Sequence, residues 1–320
     1  MRIVSINQID VREIVGLWNE SLGGDFPMTE ELWLQNTIND GNVLDEGSIG
    51  IYQGAELTGF VVAKLYQEDV TASMQRDIGW IQCLLVKEDY RNCGIGKQLL
   101  NHAEKVLLAR VVREIRLGRD PWHYFPGVPK ENEAAIQWFE NNGYQTDSVE
   151  VDLLKEVKEG EYLPLLTHAS NFRLLENSDL PKLIEFLAEA FPGRWHYEAL
   201  RYLEHGDGKE FIGLFIENEL KGFCRINDPD SPIIAQNVYW SGLFKGKLGG
   251  IGPLGIDRAI RGKHYGMDLV KAATNELISR GMDHIVIDWT QLVAFYEKLG
   301  YSSWKYYVAM SKSVKRGEGE

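Results

Sequence analysis

Two halves of this sequence repeat the same order of features at an offset of 163 to 170 residues. Asp10 and Asp179 each precede a helical pattern, and Arg91 and Arg261 each open a basic loop that contains glycine. A nearly constant offset over most of a chain indicates a duplication, so we expect two similar domains in tandem. The predicted domains comprise residues 1–158 and 170–312, and the linker between them comprises residues 159–169.

Composition limits the classes of function. With 320 residues, 44% of them hydrophobic, the chain is long enough to give each of two domains its own core. A net charge of −13 and the lack of a Lys/Arg stripe argue against a nucleic-acid partner. Cys83, Cys93 and Cys224 form no CxxC pair, so we predict neither disulfides nor a metal site. Without a signal peptide or a long apolar run, the protein is predicted to be cytoplasmic, with no membrane partner.

The stretch from Cys83 to Leu100 predicts an anion-binding loop. An apolar strand runs into a short polar turn, then into a basic loop with glycines, and then directly into an amphipathic helix. Gly94 and Gly96 allow the backbone to turn sharply and to approach a ligand closely. The helix that follows directs its free N–H groups and the positive end of its dipole at the loop, so a phosphate is the expected ligand.

Spacing excludes two other phosphate loops. A Walker loop needs Ser or Thr after its lysine, but Gln98 follows Lys97. The dinucleotide fingerprint fails because Leu99 occupies the position of its third glycine. The remaining pattern, RxxGxG over residues 91–96, resembles the acyl-CoA pyrophosphate loop of the GNAT family, the GCN5-related N-acetyltransferases.

A second GNAT motif follows in the first half. It consists of an Asn eleven residues before a Gly-aromatic pair, an Ala three residues after that Asn, and often a Tyr four residues before the Gly. Asn132, Ala135 and the pair at 143–144 match, whereas Phe139 occupies the tyrosine position. The resemblance therefore supports cofactor binding in this half more firmly than catalysis.

The second half departs from the pattern at other positions. Tyr296 and Gly300 match, but Trp289 replaces the Asn and His264 replaces the first loop glycine. This half also lacks about thirteen residues that form the loop at 118–130 of the first half. Whether His264 contacts a phosphate or marks a degenerate turn stays open.

The resemblance covers nearly the whole chain and is closest to bacterial proteins made of tandem GNAT domains. It implies an α/β (α+β) fold, in which each domain is a mixed, mostly antiparallel sheet flanked by helices. It also implies acetyl-CoA as co-substrate, without a metal, bound by the first domain. The residues that the resemblance implies for cofactor binding are Leu84, Leu85, Val86, Arg91, Asn92, Cys93, Gly94, Ile95, Gly96, Lys97, Asn132 and Phe139.

The implied reaction moves an acetyl group to a primary amine of a small molecule or peptide. Such an amine has a pKa of about 10.4, so a base or a water chain has to take its proton. We predict His123 as that base, with Asp120, Asp77 and Tyr124 as alternatives in the same half. The acceptor site is expected among the aromatic residues of loop 122–125 and of the helices that carry Trp18 and Trp33.

Two other functions stay open at this point. Catalysis could lie in the second domain around Tyr296, or the chain could be a non-catalytic acyl-CoA sensor or scaffold. The sequence does not identify the acceptor, and it leaves a homodimer open.

Overall fold

The computed structural model describes residues 1–168 and 171–314. Ala169, the last residue of the predicted linker, Ser170, the first of the predicted second domain, and residues 315–320 lie outside the described residues. The chain divides into two compact units. The first unit comprises Met1–Asp69, Gln75–Glu150 and residues 306–314. The second comprises Val70–Met74 and Val151–Lys305.

The first unit contains a sheet flanked by helices. Its strands are β1 (Arg2–Ser5), β2 (Ile49–Gln53), β3 (Glu56–Leu65), β4 (Ile78–Val86), β5 (Glu114–Leu117), β6 (Val128–Pro129) and the start of β7 (Gln145–Glu156). Its helices are α1 (Val11–Leu22), α2 (Glu30–Trp33), α3 (Ile95–Ala109) and α4 (Glu133–Asn141), and a π turn follows α2 at Leu34–Ile38.

The second unit repeats this pattern. Its strands are β8 (Phe172–Leu174), β9 (Phe211–Ile216), β10 (Glu219–Asn227), β11 (Leu248–Ile256), β12 (His284–Thr290) and the start of β13 (Ser302–Ser313). Its helices are α5 (Leu180–Ala190), α6 (Arg194–Leu203), α7 (Tyr265–Ser279) and α8 (Val293–Tyr296).

Each sheet is mixed and mostly antiparallel, which confirms the predicted fold class. The strand order is β1-β2-β3-β4-β5-β13 in the first unit and β8-β9-β10-β11-β12-β7 in the second. The β4–β5 and β11–β12 pairs are parallel, and the other neighbours are antiparallel. Helix α3 packs on the first sheet through Leu99, Leu100, Ala103 and Leu107, which are fully buried at helical spacing.

The last strand of each sheet comes from the other half of the sequence. In the first unit, β5 pairs with β13, with Arg116 opposite Ser311. In the second unit, β12 pairs with β7, with Ile285 opposite Lys155. The compact units therefore differ from the continuous segments predicted from the repeat, because β7 and β13 each carry the chain from one unit into the other.

Candidate functional site

Strand β4 has an open edge beyond Ile81. Its parallel pairing with β5 ends where Ile81 lies opposite Leu117, whereas its pairing with β3 continues as far as Val86. The register with β3 shifts between Ile81 and Cys83, so Gln82 is the extra residue of a β-bulge. The bulge and the early end of β5 together leave the second half of β4 open along one edge of the described sheet.

Backbone groups of β4 point into this opening. The N–H of Lys87 donates to the carbonyl of Thr58 on the β3 side at 2.9 Å. Because hydrogen-bonding groups alternate in direction along a strand, the N–H groups of Leu84 and Val86 point to the opposite, open edge. On that edge, Nε of Arg91 donates to the carbonyl of Val86 at 3.2 Å and so ties the loop to the end of the strand.

The loop after β4 has the conformation of an anion site. Asn92 and Gly94 are left-handed, with φ of +60° and +84°. Gly94 caps α3 without a side-chain bond, and the first bond of the helix runs from the N–H of Gln98 to the carbonyl of Gly94 at 3.0 Å. The N–H groups of residues 95–97 precede that bond and are therefore available to a ligand.

Gly96 does not take part in the turn. Gly94 alone makes the left-handed turn that opens α3, whereas Gly96 lies within the helix. A Cβ atom on Gly96 would lie 3.4 Å from Cζ2 of Trp138 and 3.6 Å from Cγ2 of Val86. A longer side chain would therefore be directed into the space between these two residues.

A cavity of about 530 Å³ joins these features within the first unit. Of the residues predicted to bind the cofactor, its lining contains Leu84, Leu85, Val86, Arg91, Asn92, Gly94, Gly96, Lys97, Asn132 and Phe139. Cys93 and Ile95 do not line it, because the side chain of Cys93 is exposed and that of Ile95 packs in the core. Cys83 does line it, and loss of solvation raises the pKa of its thiol, which disfavours a thiolate nucleophile.

Helix α4 closes one side of the cavity. The side chain of Asn132 caps this helix by accepting a hydrogen bond from the N–H of Ala135 at 3.3 Å. Phe139 packs edge-on against Trp138, with ring centroids 4.9 Å apart. The sequence analysis missed Trp138 as a lining residue, although its position next to Phe139 in the motif helix is a signal that could have identified it.

The two predicted catalytic residues do not line this cavity. His123 is 2% exposed, and its Nδ1 lies 3.1 Å from the carbonyl oxygen of Asp120. Tyr296 belongs to the second unit, where its ring packs edge-on against Phe295 at 4.9 Å. Burial raises the pKa of the Tyr296 phenol, so this group is protonated at neutral pH.

Two of the aromatic residues expected at the acceptor site do line the cavity. Trp18 and Phe125 both contribute to its wall, and their rings stack with centroids 5.7 Å apart and planes 8° apart. Trp33 and Trp122 are buried elsewhere in the unit and are absent from the described lining.

The bulge residue Gln82 connects the cavity wall to a buried polar network. Its Nε2 donates to the carbonyls of Asn36 at 3.1 Å and Trp122 at 3.0 Å, and its Oε1 accepts from the Thr37 hydroxyl at 3.0 Å. The Thr37 hydroxyl also lies 2.8 Å from that of Tyr124. The sequence analysis missed Gln82, and a polar residue inside the apolar run of β4 was the available signal.

A buried ion cluster, formed by Lys64, Asp40 and Asp120, lies behind Gln82. Nζ of Lys64 is 2.7 Å from Oδ2 of Asp40 and 2.8 Å from Oδ2 of Asp120. Burial by itself lowers the pKa of Lys64, but Asp120 and Asp40 more than offset this effect, so that pKa is raised. The ammonium therefore stays charged although it is fully buried.

The loop of the second unit keeps the same backbone shape. Gly262 and His264 are left-handed, with φ of +81° and +65°, at the positions that correspond to Asn92 and Gly94. Helices α3 and α7, which follow the two loops, are both 15 residues long. Histidine adopts positive φ more readily than most residues, so the turn survives the loss of its glycine.

The described residues contain neither a cluster of metal ligands nor a membrane-spanning helix. In the ranges 1–168 and 171–314, no group of three or more His, Cys, Asp or Glu side chains is arranged to hold a metal ion. None of the helices described there is both long and apolar enough to span a bilayer.

Comparisons with known proteins agree with this geometry. A sequence model of the acetyltransferase (GNAT) family matches residues 13–144 and, separately, residues 180–301. A search of curated proteins gives no match. Among solved structures, the chain is similar to a GCN5-related glucosamine N-acetyltransferase region of a fungal multi-domain GH3 β-N-acetylglucosaminidase. The TM-score is 0.85, and the identity is 21% over 97% of this chain. The match spans only 38% of that longer fungal chain.

Two other solved structures match along their whole length. A GCN5-related N-acetyltransferase from Sphaerobacter thermophilus has a TM-score of 0.69 and 15% identity, over 98% of this chain and 96% of its own. A tandem GNAT protein from the clavulanic acid biosynthesis pathway has a TM-score of 0.69 and 13% identity, over 99% of both chains. The repeated family match and this shared fold show that the chain belongs to the GNAT acetyltransferase family, as a tandem protein with two GNAT domains.

Proposed function

We propose that this chain transfers the acetyl group of acetyl-CoA to a primary amine, and that its first unit binds the acetyl-CoA. The observation that carries the proposal is the 530 Å³ cavity, at which the open edge of β4, the loop over residues 91–97 and the start of α4 meet. A helix start with free N–H groups suits a pyrophosphate, and a free strand edge suits the amide groups of an extended chain.

In this proposal, different residues of the cavity bind different parts of acetyl-CoA. The backbone of residues 92–97 binds the pyrophosphate, and Arg91 supports it through its bond to the carbonyl of Val86. The backbone of Leu84 and Val86 binds the amide arm along the open edge of β4. Asn132 and Trp138 bound the other side of the same space from α4.

The proposed chemistry needs little acid catalysis on the leaving side. Acetyl-CoA supplies a thioester, and a thiol pKa of about 8.5 makes its thiolate a fair leaving group. The N–H of Leu84 or Val86 is directed to donate to the carbonyl oxygen that gains negative charge. This arrangement is compatible with Phe139 at the position where the family often has a tyrosine.

The acceptor amine has to lose a proton before or during attack. His123 remains our predicted base, although its ring is not part of the cavity wall, so the proton would have to reach it from the cavity. The variant His123→Gln tests this assignment. Turnover that falls at least about tenfold with unchanged acetyl-CoA binding would support the role, whereas unchanged turnover would contradict it.

The test of the proposed function is release of the CoA thiol from acetyl-CoA in the presence of different amines. Glucosamine belongs in the panel because it is the amine named for the fungal relative. A free amino acid, a polyamine and a peptide with a free N-terminus represent the other acceptor classes. We expect amine-dependent thiol release by the wild type and its loss in Gly96→Leu, because a leucine there enters the cavity.

A second candidate is a non-catalytic acyl-CoA sensor. It is favoured by Phe139, which offers no acidic proton at the cavity, and by the burial of His123. Acetyl-CoA binding without thiol release across the amine panel would support the sensor and contradict the enzyme. Thiol release that survives Gly96→Leu but is lost in Tyr296→Phe would instead favour catalysis in the second unit.

A further inference from the structure

The second unit contains a cavity of about 750 Å³ that no part of the proposed reaction uses. Its wall is formed by the segment before β9, by the turn after β10 and by the end of α7 with the residues after it. Charged side chains dominate this wall, and we call it the acidic cavity. Its charged residues are Asp207, Lys209, Glu210, Asp228, Asp230 and Arg280.

The two cations of this set are already paired. Lys209 forms an ion pair with Asp207, and Nη1 of Arg280 lies 2.8 Å from Oδ2 of Asp228. Nη2 of Arg280 also donates to the carbonyl of Lys209 at 3.0 Å. Four carboxylates against two cations leave two negative charges on the wall, which are those of Glu210 and Asp230.

Glu210 is the observation that points to a ligand. Its side chain is in the cavity wall, the residue is only 8% exposed, and Oε2 has no hydrogen-bond partner in the part of the chain that the structure describes. Burying a charged oxygen without a partner is costly. A cation that binds in the cavity would offset the negative charge of this carboxylate and so reduce this cost.

The chemistry favours an organic ammonium ion over a metal. None of the His, Cys, Asp and Glu side chains in the described ranges form a group suited to a metal ion. An ammonium group needs fewer ligands, because it carries three N–H donors that make charge-assisted bonds to separate carboxylates. We propose that the acidic cavity binds a primary alkylammonium ion through Glu210, with the exposed carboxylate of Asp230 adding to the negative potential at the cavity.

This inference does not depend on acetyl transfer or on the site in the first unit. An ammonium site also distinguishes a free amine from an acetylated one, because acetylation removes the positive charge. The second unit would therefore respond to the amine but not to its amide.

The test uses the full chain without acetyl-CoA and putrescine, a simple diamine, as the probe. Calorimetry at fixed ionic strength should detect putrescine binding to the wild type, and the neutral N,N′-diacetylputrescine should not bind. Glu210→Gln keeps the shape of the side chain and removes its charge, so we expect at least a roughly tenfold loss of putrescine affinity. Glu185→Gln, which removes an exposed carboxylate elsewhere in the same unit, should leave the affinity unchanged.

A second measurement separates binding from folding. Removing an unpartnered buried charge should leave the melting temperature of amine-free Glu210→Gln unchanged or raise it. No putrescine binding by the wild type at millimolar concentration, or equal affinity in the wild type and Glu210→Gln, would overturn the inference. A large fall in the melting temperature of Glu210→Gln would also overturn it, because the carboxylate would then have a structural partner.

Discussion

Lys64→Met removes a fully buried ammonium from between two buried carboxylates. In the wild type, Nζ of Lys64 contacts Oδ2 of Asp40 at 2.7 Å, Oδ2 of Asp120 at 2.8 Å and the carbonyl of Asn36 at 2.7 Å. Methionine fills a similar volume but neutralises neither carboxylate. Breaking a buried ion pair by removing one partner typically costs about 3–5 kcal/mol, and we expect a loss of unfolding free energy in that range.

The pH dependence of this loss has a defined sign. The raised pKa of Lys64 means that the cluster contributes its full stability below the unfolded-state lysine pKa of about 10.4, and loses it as pH rises through the folded-state value. At pH 7 the wild type therefore has the whole contribution. In Lys64→Met the ammonium is missing at every pH, so the difference in stability from the wild type should become smaller as pH rises through the folded-state value.

Hydrogen exchange of peptides that cover β3, measured against urea concentration, reports the stability of the first unit by itself. This matters because two units need not unfold in one transition. Lys105→Met, which removes an exposed lysine of α3, is the matched control and should change stability by less than about 0.5 kcal/mol. Asp120→Asn added to Lys64→Met should recover part of the loss. A cost in Lys64→Met below about 1 kcal/mol at pH 7 would refute the reasoning.

Three further changes test the local structure. Asp179→Asn should destabilise the second unit by about 1–3 kcal/mol. The hydrogen bond from Arg173 lowers the pKa of Asp179, so its contribution to stability is present above the unfolded-state pKa and is lost as pH falls through the folded-state pKa. The unfolding free energies of the wild type and the variant should therefore converge on acidification. Gly94→Ala should cost about 1–2 kcal/mol in urea unfolding, because φ is +84° while the new Cβ would meet no crowding from the described residues beyond its own turn of chain. An unchanged midpoint would contradict the left-handed turn. Thr29→Ala should cost about 1 kcal/mol by the same measurement, since its hydroxyl caps α2 by accepting from the N–H of Leu32, and a neutral result would exclude the cap.

Features with a local cause were predictable from the sequence. The amphipathic helix predicted directly after the loop is α3, and its leucines at 99, 100 and 107 are buried in the core. The loop before α3 was predictable because glycine at 94 and a helical pattern directly after it constrain the backbone within a few residues. The family resemblance implied Leu84, Leu85 and Val86 as cofactor-binding residues, and the bulge at Gln82 helps to open the edge of the strand on which they lie.

Features that depend on distant residues were not predictable. In the sequence, Lys64 is simply a polar residue at the end of an apolar strand. Its partners Asp40 and Asp120 are 24 and 56 residues away along the chain. The pairing of β7 with β12 and of β13 with β5 has no local signal in the sequence, because an extended segment can pair with any open strand edge of suitable register. His123 looked available for catalysis because it lies in a long loop, yet residues 122–125 of that loop are buried.

The central claim, that the first unit and not the second binds acetyl-CoA, is tested by a matched pair of glycines. Gly96 and Gly266 are both the second residue of a 15-residue helix after equivalent loops, so Gly→Leu has the same intrinsic effect on both helices. They differ in surroundings: a Cβ at Gly96 faces Trp138 and the cavity, whereas at Gly266 the nearest atom is Cδ1 of Ile256 at 3.7 Å.

Calorimetric titration with acetyl-CoA should be carried out on the wild type, Gly96→Leu and Gly266→Leu. We predict that Gly96→Leu weakens acetyl-CoA binding by more than about tenfold, and that Gly266→Leu binds like the wild type. Wild-type affinity in Gly96→Leu, together with lost binding in Gly266→Leu, would contradict the claim and place the cofactor in the second unit.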